Sequence, residues 1–106
     1  MRQLLLGETF RTGDVVAVAD APQRLYEIIL VRGDGIALIA PWPASVRKRK
    51  CERRVPVRDL LLQRAASSTE HARSTKQFAD RSVDYEPAER AAIEAAAARL
   101  VNRGAA

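Results

Sequence analysis

Residues 25–41 read LYEIILVRGDGIALIAP, and this stretch decides the fold. Two apolar runs, one ending at Val31 and one beginning at Ile36, repeat with the two-residue period of β-strands. The residues between them supply a tight turn centred on either Gly33-Asp34 or Asp34-Gly35. The stretch is therefore predicted to be a β-hairpin, with the rest of the chain added to it as further strands or as a tail.

Both faces of this hairpin are apolar, which leaves its register open. A shift of one residue would exchange the two faces, and nothing in the pattern forbids the shift. A sheet with one face in water would alternate more cleanly between polar and apolar residues. The pattern instead indicates strands that either coil into a closed barrel or are covered by another part of the chain.

One short strand is predicted before the hairpin. A turn at residues 10–14 leads into a strand at 15–19, in which Val16 and Val18 face the core. The proline-containing segment 20–23 then breaks the chain before the hairpin begins.

Two more strands are predicted after it. Residues 41–43, Pro-Trp-Pro, end the hairpin because a proline cannot donate a ladder hydrogen bond. The fourth strand is expected at 54–57, and Pro56 favours an edge position for it. A tight turn at 59–62 then leads to a closing fifth strand.

The opening F-x-x-G-D-V-V at residues 10–16, the long hairpin and the closing V-P-V-x-D-L-L-L at 55–62 resemble a small SH3-like barrel of the KOW or Tudor type. Among such barrels, the chain is similar to the RNA-polymerase-interacting domains of CarD-like transcription regulators and to the accessory barrels of Mu-like and Tn7-like transposases. The resemblance covers roughly half of the chain. It implies a five-stranded barrel over residues 1–63 and a role in transcription or transposition, but it transfers no functional residue.

The remainder of the chain is predicted to be a tail. Residues 64–84 are polar, with only Phe78 and Val83 as large hydrophobes, so a flexible linker is favoured over a weak helix. Residues 85–106 hold an alanine-rich helix that starts at Pro87 and stops before Gly104. The predicted fold class is thus mainly β, with one five-stranded SH3-like barrel, a flexible linker and one C-terminal α-helix.

One narrow stripe of this helix is apolar. Its small side chains suit close packing against the chain's own barrel, against another protein, or against a second copy in a homodimer. The predicted protein-interface residues are Ile93, Ala96, Ala97, Leu100 and Val101.

Charge is concentrated in one place. The formal net charge is +5, and residues 47–54, RKRKCERR, hold six basic residues and one acidic residue. The other 98 residues carry twelve basic and twelve acidic groups. The basicity of the chain is therefore a local feature of residues 47–54, hereafter the basic run.

The basic run is the candidate functional element. Cations displayed on a loop release counterions from phosphates, and Trp42 at the base of the loop is positioned in sequence to stack on a base or sugar. The expected partner is DNA or RNA backbone, with RNA polymerase or another protein of a nucleic-acid machine as a further partner. The predicted nucleic-acid-binding residues are Arg47, Lys48, Arg49, Lys50, Arg53, Arg54 and Trp42.

Three alternatives remain open at this point. The basic run would also suit an acidic protein surface, or it is simply a solvated loop with Trp42 filling the barrel. In the third alternative, the chain is a protein adaptor that binds polymerase or another partner through the barrel edge and the C-terminal helix.

Catalysis is not expected. His71 lacks a second ligand or base nearby in sequence and is interpreted as a solvated side chain, and Cys51 is a single cysteine that has no disulfide partner in the chain. No apolar run reaches membrane-spanning length. The prediction is a non-catalytic, cytoplasmic protein with no cofactor, no metal and no membrane contact.

Overall fold

The computed structural model describes residues 10–47, 51–80 and 85–105 of the chain, and the side chains of these segments as far as residue 100. Two short 3₁₀ turns, Ala44–Val46 and Val57–Asp59, precede and follow the fourth of five strands. The strands are β1 (Val15–Val18), β2 (Ala21–Val31), β3 (Ile36–Pro41), β4 (Arg53–Pro56) and β5 (Leu60–Arg64), and the helices are α1 (Ser68–Asp80) and α2 (Pro87–Ala105).

The five strands form one antiparallel sheet in the order β4-β3-β2-β1-β5. In the central pairings, Val16 lies opposite Tyr26 and Ile28 lies opposite Ile39. Pro56 lies in β4, which is an edge strand of the sheet. A proline has no N–H to donate, and an edge strand tolerates this because it has a neighbour on one side only. The predicted five-strand count and the edge position of Pro56 are confirmed.

The central hairpin turns on Gly33-Asp34, one of the two centres that the sequence allowed. The N–H of Gly35 donates to the carbonyl of Arg32 at 3.3 Å, which makes Gly33 and Asp34 the middle residues of the turn. Gly35 follows with φ +83°, a backbone conformation that favours glycine. This is a turn followed by a left-handed residue, a common hairpin connection.

Strand β2 begins at Ala21, inside the segment 20–23 where a break between strands was predicted. Only Ala19 and Asp20 form the turn, and Ala21 already pairs with Val18. Pro22 lies within β2 and is exposed. The prediction of a break over 20–23 was therefore too long, because Pro22 occupies the solvent-exposed first part of a strand instead of ending one.

The N-terminal turn is fixed by Asp14, whose side chain is fully buried. Its carboxylate accepts hydrogen bonds from the backbone N–H of Arg11 at 2.9 Å and of Ala66 at 2.8 Å. Gly13 beside it has φ +96°, and a Cβ there would approach the Cβ of Ala66 to 3.1 Å. The Gly-Asp pair thus joins the entrance of β1 to the segment between β5 and α1.

The two apolar faces of the sheet belong to two separate clusters. One cluster contains residues of all five strands: Val16, Val18, Tyr26, Ile28, Ala37, Ile39, Val55 and Leu60. The other face packs against the helices and their connection, through Ile29, Leu38, Ala40, Phe78, Tyr85 and Ile93. The central strands are apolar on both sides because the helices cover the second side.

Helix α1 corrects the prediction of a flexible linker over 64–84 and of a single helix. It begins with a capping box, in which the N–H of Glu70 donates to Oγ of Ser67 at 3.1 Å and the N–H of Ser67 donates to Oε1 of Glu70 at 3.0 Å. Phe78 is fully buried against the sheet. One large hydrophobe at the right position, together with a good cap, orders a segment whose average composition is polar.

Helix α2 begins at Pro87, as predicted, but it continues through Gly104 to Ala105, so the predicted stop before Gly104 is wrong. Glu89 caps its first turn, because its Oε1 accepts a hydrogen bond from the N–H of Glu86 at 3.1 Å. Ile93 is 2% exposed and packs in the second cluster. The helix therefore packs on the sheet of its own chain.

Candidate nucleic-acid interface

The basic run connects β3 to β4. It begins directly after the Ala44–Val46 turn and ends inside β4. Arg47, Arg53 and Arg54 are described by the structure, whereas Lys48, Arg49 and Lys50 lie outside the described residues.

Arg47 is directed into the protein. Its side chain is 5% exposed, and its Nη2 lies 2.7 Å from Oε1 of Glu27. Its Nε donates to the carbonyl of Pro41 at 2.7 Å, and the guanidinium lies over the ring of Phe78, 5.1 Å from the centroid. With these contacts made, Arg47 has little donor capacity left for a phosphate.

Glu27, the ion-pair partner of Arg47, also contacts helix α1. Its second carboxylate oxygen accepts a hydrogen bond from Oγ of Ser74 at 2.5 Å. The carboxylate on β2 therefore joins the first residue of the basic run to helix α1. A charged pair this deep in the protein requires such additional hydrogen bonds to offset its desolvation.

Arg54, at the other end of the basic run, makes a bidentate contact with Glu89. Its Nε and Nη2 lie 2.8 Å and 2.5 Å from the two carboxylate oxygens. Arg32 donates to the same carboxylate at 3.2 Å. Hydrogen bonds from Arg54 hold the pKa of Glu89 below its ordinary value against the opposing effect of burial, and Glu89 in turn raises the pKa of Arg54.

Arg53 is partly exposed and is held more loosely. It donates to the hydroxyl of Tyr26 at 3.2 Å, and its guanidinium lies 5.5 Å from the centroid of the same ring. Oδ2 of Asp20 is 3.5 Å away. The pKa of Arg53 is raised, first by the hydrogen bond to Tyr26.

The basic run is therefore divided into two parts. Each of its three described arginines contacts a carboxylate of the same chain, and two of those carboxylates are buried. The other three cations of the run, Lys48, Arg49 and Lys50, lie outside the described residues. Of the predicted phosphate contacts, Arg47 and Arg54 are held by internal pairs.

Trp42 lies just before the Ala44–Val46 turn and is half-buried. Its backbone N–H donates to the carbonyl of Leu25 at 3.0 Å, which continues the pairing of the hairpin. Trp42 lines two surface clefts, one polar, of about 220 Å³, and one more apolar, of about 270 Å³.

Two exposed arginines that the sequence did not single out lie beside Trp42. Arg73 of α1 lines the polar cleft, and Arg24 of β2 lines the apolar cleft. Neither forms an ion pair within the part of the chain that the structure describes. No local signal marks either residue, because Arg73 lies in the polar stretch that suggested a linker and Arg24 lies in a strand.

The predicted protein-interface stripe is used mainly inside the chain. Ile93 is buried, whereas Ala96, Ala97 and Leu100 are half-buried. Ala96 and Leu100 border a cleft of about 360 Å³ beside Phe10 and Leu30. The side chain of Val101 lies outside the described residues.

His71 and Cys51, for which no catalytic role is expected, have different surroundings. Nδ1 of His71 lies 2.8 Å from the carbonyl of Thr12, so this ring, interpreted from sequence as solvated, is held against the N-terminal turn. Cys51 is a half-buried free thiol. Within residues 10–47, 51–80 and 85–105, no three His, Cys, Asp or Glu side chains gather as a metal site would require.

The helices that the structure describes contain no stretch long and apolar enough to cross a bilayer. The chain matches no protein-family model, and neither a curated protein sequence nor a solved structure shows significant similarity to it.

Proposed function

We propose that this chain is a non-catalytic nucleic-acid-binding module that grips the phosphate backbone through the middle of the basic run, Lys48, Arg49 and Lys50. The observation that carries the proposal is the division of the run. The carboxylates of Glu27 and Glu89 neutralise Arg47 and Arg54, while three consecutive cations lie between these anchored ends. A cation that neutralises a phosphate releases condensed counterions, and Arg47 and Arg54 are already held by carboxylates of the chain. The proposal therefore assigns the phosphate contacts to the three residues between them.

The proposal also covers the type of fold and the process in which the chain acts. We propose that the sheet is an SH3-like barrel, supported by its strand order and by the 3₁₀ turn between β4 and β5. The resemblance of residues 10–16 and 55–62 to CarD-like and transposase barrels favours an accessory role in transcription or transposition. The proposed location is the cytoplasm, and RNA polymerase or another protein of a nucleic-acid machine is a proposed second partner.

The adaptor alternative has less support. Ile93, one of the two large residues of the stripe whose side chains are described, is buried in the chain's own core, so it is not available to another protein. The half-buried Ala96 and Leu100 offer only a small apolar area for a partner or a second copy. The alternative would place binding on α2 and the sheet edge, independent of the basic run.

The test is charge reversal at Lys48 and Arg49, measured by fluorescence anisotropy with a labelled duplex of random sequence. The double variant Lys48→Glu/Arg49→Glu is expected to abolish binding at low salt. The matched control is Arg58→Glu/Arg99→Glu, which changes the net charge equally. Both control residues are exposed and form no ion pair with a described residue. Arg58 follows the opposite end of β4 from the basic run.

The control should lower affinity only modestly, because it weakens the overall positive field without removing a contact. Unaltered binding by Lys48→Glu/Arg49→Glu would refute the proposal. Equal losses in the two double variants would also contradict it, since they would reduce the effect to net charge.

A further inference from the structure

We infer that Trp42, with Arg24 and Arg73 on either side, forms a subsite for an unpaired nucleotide, so that the module prefers single-stranded over double-stranded nucleic acid. The inference rests on the proposed function, because it adds a base-binding position next to the phosphate-binding run. It involves two residues, Arg24 and Arg73, that lie outside that run.

The polar cleft gives the first half of the subsite. Trp42, Arg73 and Gln77 line it together with Arg64. The amide of Gln77 both donates and accepts hydrogen bonds, which suits the polar edge of a base whose identity varies. The guanidinium of Arg73 supplies a cation for the adjoining phosphate.

Two carboxylates also border this cleft, and both are already bound. Glu27 is paired with Arg47 and accepts from Ser74, and Glu70 is paired with Arg64. Because each negative charge is matched within the chain, the cation of Arg73 is left over. With Arg47 counted behind Glu27, three cations face two carboxylates at this cleft, and the local charge is positive.

The apolar cleft gives the second half. Leu25, Pro41 and Val46 border it with Trp42, and Val46 is 56% exposed. Arg24 lies at the same cleft and is exposed. An apolar floor with an arginine beside it suits the flat face of a base and its phosphate, since stacking on an aromatic ring does not depend on which base is bound.

Trp42 is held in a fixed relation to Arg47, the first residue of the basic run. Its neighbour Pro41 accepts the hydrogen bond from Nε of Arg47, and Glu27, the partner of Arg47, lies at the wall of the polar cleft. Lys48 directly follows Arg47 in the sequence, so on the proposed function a strand bound by the basic run would have an adjoining nucleotide near Trp42. In a duplex both faces of each base are stacked on neighbours, so only an unpaired nucleotide can place its base there without the cost of unstacking.

The experiment uses the intrinsic fluorescence of the chain, because Trp42 is its only tryptophan. Titration with a thymidine oligomer of about twelve nucleotides should quench this fluorescence as a base stacks on the ring. A duplex of the same length should bind with a smaller change in fluorescence. Absence of quenching at saturation with the oligomer, with binding followed by anisotropy of a label, would overturn the inference.

Variants localise the effect. Trp42→Ala should weaken binding of the thymidine oligomer by about 5- to 150-fold and leave duplex binding within about twofold. Arg24→Gln/Arg73→Gln should also weaken oligomer binding more than duplex binding. The control Lys76→Gln removes an exposed cation of α1 that forms no ion pair with a described residue, and it should change neither affinity.

The outcomes separate the subsite from the proposed function. If the duplex binds in a salt-dependent way and the oligomer neither quenches Trp42 nor binds more tightly, the subsite is wrong and the backbone grip stands. If neither nucleic acid binds, both are wrong. If Trp42→Ala does not fold, the quenching of the unaltered protein and the Arg24→Gln/Arg73→Gln double variant still decide the question.

Discussion

Glu27 and Glu89 are both buried carboxylates, and each is bound by an arginine from one end of the basic run. Glu27 on β2 meets Arg47 and Ser74, whereas Glu89 on α2 meets Arg54 and Arg32. The two arrangements differ in the exposure of the arginine, which is 5% for the side chain of Arg47 and 31% for that of Arg54. Each arrangement joins a helix to the sheet, but only in the Glu27–Arg47 pair are both charged side chains buried.

The difference predicts how the protein responds when one partner is lost. A buried charge left without its partner cannot recover its hydration, and truncation of one member of such a pair costs about 3–5 kcal/mol. A half-exposed arginine can turn toward water instead. The two ion pairs should therefore contribute unequally to the free energy of unfolding, although their chemistry is the same.

The largest effect is expected at the Glu27 pair. Glu27→Ala leaves the guanidinium of Arg47 buried between Phe78 and the backbone of Pro41, and it should lower the free energy of unfolding by about 3–5 kcal/mol. Urea denaturation followed by circular dichroism measures this change. A loss below about 1 kcal/mol would show that Arg47 is rehydrated without difficulty and would remove the distinction between the two pairs.

A smaller loss is expected at the Glu89 pair. Glu89→Ala removes a charged hydrogen-bond acceptor from Arg54 and Arg32, both of which reach solvent, so we expect a loss of about 1.5–3 kcal/mol. Arg58→Ala, at an exposed position, serves as the control and should stay within about 0.5 kcal/mol of the unaltered protein. A Glu89→Ala loss larger than that of Glu27→Ala would reverse the comparison.

The smallest effect is a dependence on pH. The pKa of Glu89 is lowered in the folded chain, so its ionised form stabilises the fold above the pKa of an unfolded glutamate, about 4.3, and this contribution is lost as the pH falls through the folded value. The stability difference between the unaltered protein and Glu89→Gln should therefore shrink between pH 6 and pH 3. Urea midpoints at these pH values give the difference.

Asp34, whose pKa is also lowered by Arg32, is present in both proteins and so its contribution largely cancels. A stability difference that stays constant across the range would mean that the ionisation of Glu89 does not stabilise the folded state.

Local patterns predicted the parts of this fold that local forces determine. The hairpin follows from the two apolar runs around Gly33-Asp34, and α2 follows from its propensity and its proline start. The edge position of β4 follows from Pro56. In each case the residues that gave the prediction lie within a few positions of the element that they determine.

Helix α1 was missed because its sequence is polar on average, and Phe78 is its one large hydrophobic residue in the core. The S-S-T-E sequence at residues 67–70 is a capping-box pattern and was the one local signal for its start. The apolar second face of the hairpin was the complementary signal, since something had to cover it. Neither signal identified which segment of the chain would do so.

The inward direction of Arg47 and Arg54 could not be read from their neighbours. Their partners lie 20 and 35 positions away in the sequence, and a pairing over that distance depends on the fold itself. From sequence alone, Glu89 looked like an ordinary acidic residue in the first turn of a helix. Six apparently equivalent cations thus divide into residues that hold the fold together and residues proposed to bind.

The salt dependence of duplex binding tests this division most directly. The slope of log affinity against log salt changes by about 0.9 for each phosphate contact on duplex DNA, so Lys48→Gln/Arg49→Gln/Lys50→Gln should reduce its magnitude by about 2.7. The free energy of unfolding should stay unchanged, because the anchoring pairs of Arg47 and Arg54 are intact. An unchanged slope in this triple variant would contradict the account.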